Sequence, residues 1–183
     1  MPESGRHDIR QRATSAAAVR GTPRQGEKQM TSQRGNSSRL LQRGMLWAGL
    51  SLPLHLVWEV AQLPLYEIRR NNADYVAYSI LHCTIGDGII AGVAFVVTAL
   101  ALRTSDWIAQ RTYAGAILLT LLGVAYTIFS EWHNVTVLAS WKYAATMPTF
   151  FGIGLSPVLQ WLILPAVTLL VWRAMAKQRL RLR

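Results

Sequence analysis

Residues 75–102 read YVAYSILHCTIGDGIIAGVAFVVTALAL, and this stretch decides the fold class. Its only carboxylate is Asp87 and its only imidazole is His82. As a helix rising ~1.5 Å per residue it measures ~42 Å, more than the ~30 Å of a bilayer's hydrocarbon core. The length leaves room to tilt or to begin outside the core. Residues 45–66, 113–130 and 150–172 are apolar segments of the same kind. The expectation is an all-α integral membrane protein, a four-helix up-down bundle with short connections. In the last segment, Gly152, Gly154, Pro157 and Pro165 predict a broken start near Pro157 and a local kink near Pro165.

Composition agrees with a membrane chain. The 183 residues are 51% hydrophobic and only 15% charged, yet carry a net charge of +10 from 19 Lys and Arg against 9 Asp and Glu. The positive charge lies in tails and loops rather than on a folded face, which excludes a nucleic-acid-binding domain and leaves membrane lipid as the partner. The single cysteine, Cys83, excludes an internal disulfide framework and a Cys-rich zinc module.

The chain divides into a disordered, basic, Arg-rich tail over 1–40, a transmembrane domain over 41–175 and a short basic tail over 176–183. Three origins of the first tail stay open: a cytoplasmic extension, a start codon placed ahead of Met30 or Met45, or a targeting peptide. Sixteen of the 19 Lys and Arg fall in the chain through Arg43, the connection holding Arg103 and Arg111, and the end from Arg173 onward. Only Arg69, Arg70 and Lys142 fall on the other side. The positive-inside rule therefore puts both termini in the cytoplasm. Trp47, Trp107, Tyr113 and Trp172 mark the inner ends of the spans; Tyr66, Tyr75, Trp132, Trp141 and Tyr143 mark the outer ends.

Chemistry is sought where polarity is expensive, because an ionisable residue inside a span costs about 2.5–3.5 kcal/mol on insertion scales. Of nine acids, six lie in tails or loops; Glu59, Asp87 and Glu131 do not. His55 and Glu59, at i and i+4, share a helix face. Counting from Tyr66, Glu59 lies ~10 Å deep and His55 ~16 Å; counting from Tyr75, His82 lies ~10 Å deep and Asp87 ~18 Å. Glu59 is thereby level with His82, and His55 with Asp87, on neighbouring antiparallel helices. His82 and Asp87 are about 140° apart on a regular helix, a conflict that Gly86 and Gly88 could relieve by distortion or close approach. Cys83 shares a face with Asp87. Ser156 and Gln160 lie at i and i+4 beside Trp161, and Trp58 and Trp161 sit inside spans rather than at their ends. The candidate catalytic set is His55, Glu59, His82, Asp87 and Glu131. Trp58, Cys83, Ser156, Gln160 and Trp161 are the candidate ligand contacts. Against this stands the plain alternative of polar pairs that only hold helices together.

The segments HLVWEVAQLPLY, HCTIGDG, YTIFSEWHN and GIGLSPVLQW together resemble an uncharacterised family of small bacterial four-span membrane proteins, over about residues 45–172. More remotely, their order of polar residues is similar to the emopamil-binding-protein family of four-span sterol isomerases. That resemblance matches its His-x-x-x-Glu to His55 and Glu59, its second-span acid to Asp87, its third-span acid to Glu131 and its Trp-Leu-x-Leu-Pro to Trp161–Pro165. It implies that an acid protonates an alkene, a second group removes a proton, and a Trp stabilises the carbocation. Two positions depart: Val158 stands where the family has Asn, and no acid stands near Val124.

The functional expectation is a lipophile-binding membrane protein with isomerase-like proton transfer, its cofactors unknown and a homo-oligomer open. The alternatives are a metal or haem site using His55 and His82, and a proton-relay or transport subunit. No nucleotide or phosphate motif occurs.

Overall fold

The computed structural model describes residues 25–181 and is almost wholly helical. The packing below belongs to the compact unit that begins at Arg39. Helix α1 (Gln25–Gln62) is followed by two short 3-10 turns, Leu63–Leu65 and Glu67–Arg70. Then come α2 (Ala73–Ala101), the single turn α3 (Trp107–Gln110), α4 (Thr112–Trp132) with a π-helical turn at His133–Val137, and α5 (Leu155–Arg181). Strands β1 (Thr149–Phe150) and β2 (Ile153–Gly154) form a minimal hairpin just before α5.

Three segments among the described residues are long and apolar enough to cross a membrane: Ala73–Ala101, Thr112–Val137 and Leu155–Arg179. Three of the four expected spans are thus present as such. The expected first span, 45–66, is helical to Gln62, but His55, Glu59 and Gln62 dilute its apolar character and it does not join that set. Several boundaries differ from expectation. The helix begins at Gln25, so the described part of the expected 1–40 tail is helical, and residues 1–24 lie outside the described residues. The expected tail over 176–183 continues α5 to Arg181. The break expected near Pro157 lies just ahead of it: the hairpin precedes a helix that starts at Leu155, and Pro157 falls in the first turn, where its missing N–H costs nothing. α5 runs on through Pro165.

The surface is inverted relative to a water-soluble protein. Leu81, Ile85, Ile89, Val93, Val97 and Leu100 of α2 are exposed, whereas His55, Glu131, Gln160 and Thr168 are buried and hydrogen-bonded. An apolar exterior around a hydrogen-bonded interior is the arrangement that hydrocarbon surroundings require. Helices approach closely through small residues: a Cβ at Gly92 would lie 3.4 Å from Ala48 Cβ, joining α1 to α2. At the end that holds the α2–α4 connection, Trp47, Phe95, Trp107 and the partly buried Trp172 form an aromatic cluster with ring centroids 5.2–6.2 Å apart.

The opposite end is roofed by the segment between α4 and α5. Tyr66 and Tyr143 pair as an isolated β-bridge, with Glu67 N donating to Lys142 O at 2.9 Å and Ala144 N to Leu65 O at 2.9 Å. In the hairpin, Phe151 and Gly152 both take positive φ, 49° and 79°, as a type I′ turn requires. Pro53 and Pro165 lie inside α1 and α5, and each, lacking an N–H, leaves the carbonyl four residues earlier without its helical donor.

Candidate functional site

Beneath the roof lies a cavity of about 440 Å³, walled by α1, α2, α4, α5 and the roof segment. This volume is within the ~300–1,000 Å³ of small-molecule sites. Glu59, His82, Cys83, Asp87, Glu131, Gln160 and Trp161 all contribute to its wall. Among the described residues that line it, none is Lys or Arg.

Its deep pole is organised by Gln160, which is 1% exposed. The amide Nε2 lies 2.8 Å from His55 Nδ1, 2.7 Å from Asp87 Oδ2 and 3.5 Å from Glu59 Oε1. An amide nitrogen has two hydrogens. Given to His55 and Asp87, they make Nδ1 of a neutral His55 an acceptor and leave the ring proton on Nε2. A protonated His55 would instead direct Nδ1–H to Asp87 Oδ2, 3.3 Å away, and Gln160 would turn its amide over. Gln62 donates to Glu59 Oε1 at 2.9 Å and accepts from Ser156 Oγ at 2.8 Å. The Trp161 ring packs 5.3 Å from the His55 ring.

The second pole is Glu131, buried where α4 meets the roof. Tyr143 donates to Glu131 Oε2 at 2.5 Å and accepts from Gly154 N at 2.9 Å, and Tyr66 stands 3.5 Å from both carboxylate oxygens. Burial, reinforced by the neighbouring Glu131 carboxylate, pushes the Tyr66 phenol well above its ordinary value. Burial and then the hydrogen bond to Glu131 do the same for Tyr143. Both phenols therefore serve as proton-bearing donors.

The expected residues do not all share one position. His55 pairs with Asp87 as the depth count anticipates, but it is only 2% exposed and stands behind Gln160 rather than in the cavity wall. Glu59 does not pair with His82: it takes its hydrogen bonds from Gln62 and Gln160, while His82 is exposed and stacks on Tyr78 at 5.7 Å. His82 and Asp87 nevertheless both border the cavity, one towards its rim and one deep. Ser156 holds Gln62, and Trp58 is outside the lining. Among the described residues no group of three or more His, Cys, Asp or Glu has the arrangement that would hold a metal ion. Gln62, Tyr66 and Tyr143 were not anticipated as site residues. Gln62 extends the face of His55 and Glu59 by i+3, a signal present in the spacing. The Tyr residues read as interfacial belt, and only the β-bridge reveals that they converge on Glu131.

Comparison with protein-family models, with curated proteins and with solved structures gives no match.

Proposed function

We propose that the chain is a four-span membrane protein whose cavity binds a lipophilic small molecule and moves a proton on it, in the manner of an isomerase. The observation that carries this reading is the convergence of Glu59, Asp87, Glu131 and Trp161 on one cavity whose described wall holds no Lys or Arg. Helix-gluing pairs need no cavity. In this reading Glu59 donates a proton to an alkene, Asp87 accepts one from the adjacent carbon, and the π-face of Trp161 steadies the cation between the steps. Gln160 and His55 hold the two carboxyls in register. The residues that the emopamil-binding-protein resemblance singles out are among those meeting here, which supports the same chemistry. In this reading the first helix completes a four-helix up-down bundle, and the Lys and Arg distribution supports both termini on the cytoplasmic side of a bacterial inner membrane.

Native mass spectrometry of the protein in mild detergent, without added ligand, tests the reading. A co-purified adduct of lipid size is expected, lost on Trp161→Ala; Glu59→Gln is expected to keep the adduct and lose proton exchange with deuterated water. A haem or metal mass lost on His55→Ala would move the site to redox chemistry.

A further inference from the structure

The burial profile of α2 changes abruptly along its length. Its buried residues are Thr84, Gly88, Ala91, Ala94, Phe95, Thr98 and Ala99; residues 73–83 contribute none. The cavity is bordered by this unburied third, through Tyr75, Tyr78, Ser79, Ile80, His82 and Cys83. The helix thus stands away from its neighbours at one end, and the cavity occupies the gap. Its wall becomes outer surface at Tyr78, 62% exposed, and at Tyr126 of α4, 48% exposed. Those residues alternate with Leu81, Ile85 and Phe129, which are exposed and apolar. By helical rise Tyr78 lies ~8 Å and His82 ~14 Å from the start of α2, within a helix long and apolar enough to cross a membrane. The opening therefore faces the hydrocarbon flank of the bundle.

The polar groups are arranged inversely to those of a water-facing cleft. The carboxyls of Glu59 and Asp87 and the Gln160 amide lie deep, while aromatic rings, Ile80 and the His82 imidazole stand at the rim. Resting on the proposed lipophile-binding function, we infer that the ligand is an uncharged amphiphile that enters sideways from the bilayer between α2 and α4. Its hydrogen-bonding end reaches Gln160, Glu59 and Asp87, and its apolar tail trails past Tyr78 and Tyr126 into the lipid. Anionic amphiphiles are disfavoured, because the Asp87 carboxylate repels a phosphate or carboxylate in a low-dielectric site and the described wall holds no Lys or Arg to pair with such a head.

The test uses the full chain in bilayer nanodiscs and two hexadecanol photoprobes, one with a diazirine beside the hydroxyl and one with it at the tail terminus. After irradiation, peptide mass spectrometry maps the sites. The hydroxyl-end probe is expected to label the peptides holding Glu59 and Gln160. The tail-end probe is expected to label those holding Tyr78 and Tyr126. Unlabelled hexadecanol should compete both, and hexadecyl phosphate should compete at least about tenfold less well. Gly86→Leu, which extends a side chain into open space beside the cavity, should suppress the hydroxyl-end labelling without lowering the melting temperature. Reversed labelling, or equal competition by the phosphate, overturns this inference and leaves the lipophile cavity standing. Absence of any saturable labelling by either probe overturns the cavity reading itself.

Discussion

Gly123 of α4 and Trp161 of α5 share a space that only hydrogen and indole can divide: a Cβ at Gly123 would fall inside the contact radius of Trp161 Cε3. Trp161 is 1% exposed and in turn backs His55. One missing methyl group therefore sets where the cavity's aromatic wall stands.

Gly123→Ala is expected to destabilise the protein by about 1–3 kcal/mol, the usual penalty for overpacking. Gly115→Ala should act likewise through Trp107, which a Cβ there would also strike. Gly86→Ala is the control, since a Cβ there meets nothing within 4 Å and the helix gains about 0.5–1 kcal/mol of propensity. Thermal melting in detergent checks all three; equal melting temperatures for Gly123→Ala and Gly86→Ala would contradict the wedge.

Tyr143→Phe removes the 2.5 Å hydrogen bond to Glu131 and the acceptor of Gly154 N together. Leaving a buried carboxyl and a backbone donor short of partners should cost about 1–3 kcal/mol. Tyr66→Phe should cost less, its oxygen being 3.5 Å from Glu131. Chemical denaturation of the two variants in mixed micelles ranks them.

Gln160→Leu should cost more than Gln62→Leu, because Gln160 serves both His55 Nδ1 and Asp87 Oδ2. Nitrogen-15 NMR offers a readout that mere packing would not move. In the parent, His55 Nδ1 should resonate as an unprotonated acceptor; in Gln160→Leu that signal should shift as Nδ1 loses its donor. An unchanged His55 spectrum counts against the network.

The alkaline limb of stability follows from Tyr66 and Tyr143. Their phenols lie above the ordinary value in the folded protein, so the folded state holds its protons while an unfolded chain releases them near pH 10. Stability contributed by these groups is complete below about pH 10 and declines as pH rises further. Near-ultraviolet titration should show two of the six tyrosines ionising only on unfolding. Two fewer such tyrosines in the Tyr66→Phe, Tyr143→Phe double variant completes the assignment.

How much of this was legible in the sequence depended on the range of the interaction. Apolar length announced four spans, three of which are membrane-capable helices, and i, i+4 spacing put His55 with Glu59. The helical depth count brought His55 to Asp87. It could not foresee that Gln160, from a distant helix, would take the place opposite Glu59 that His82 was expected to fill. Helical depth is local arithmetic, whereas azimuth depends on packing, and the standing-away of α2 turned His82 towards the rim. The hairpin and the Tyr66–Tyr143 bridge were not legible either: the hairpin's two-residue strands are too short to show alternation, and the bridge joins residues far apart in sequence. Even so, Phe151 with Gly152 sits at a turn where the glycine alone was a visible sign.

The inverted surface also sets which solvent the protein treats as a denaturant. The bonds that Gln160, Tyr143 and Ser156 make are electrostatic, so they strengthen as their surroundings become drier. Apolar media should therefore tighten this molecule. Stripping away its detergent shell, which forces the Ile and Leu stripes of α2 into water, should be what makes it collapse and precipitate.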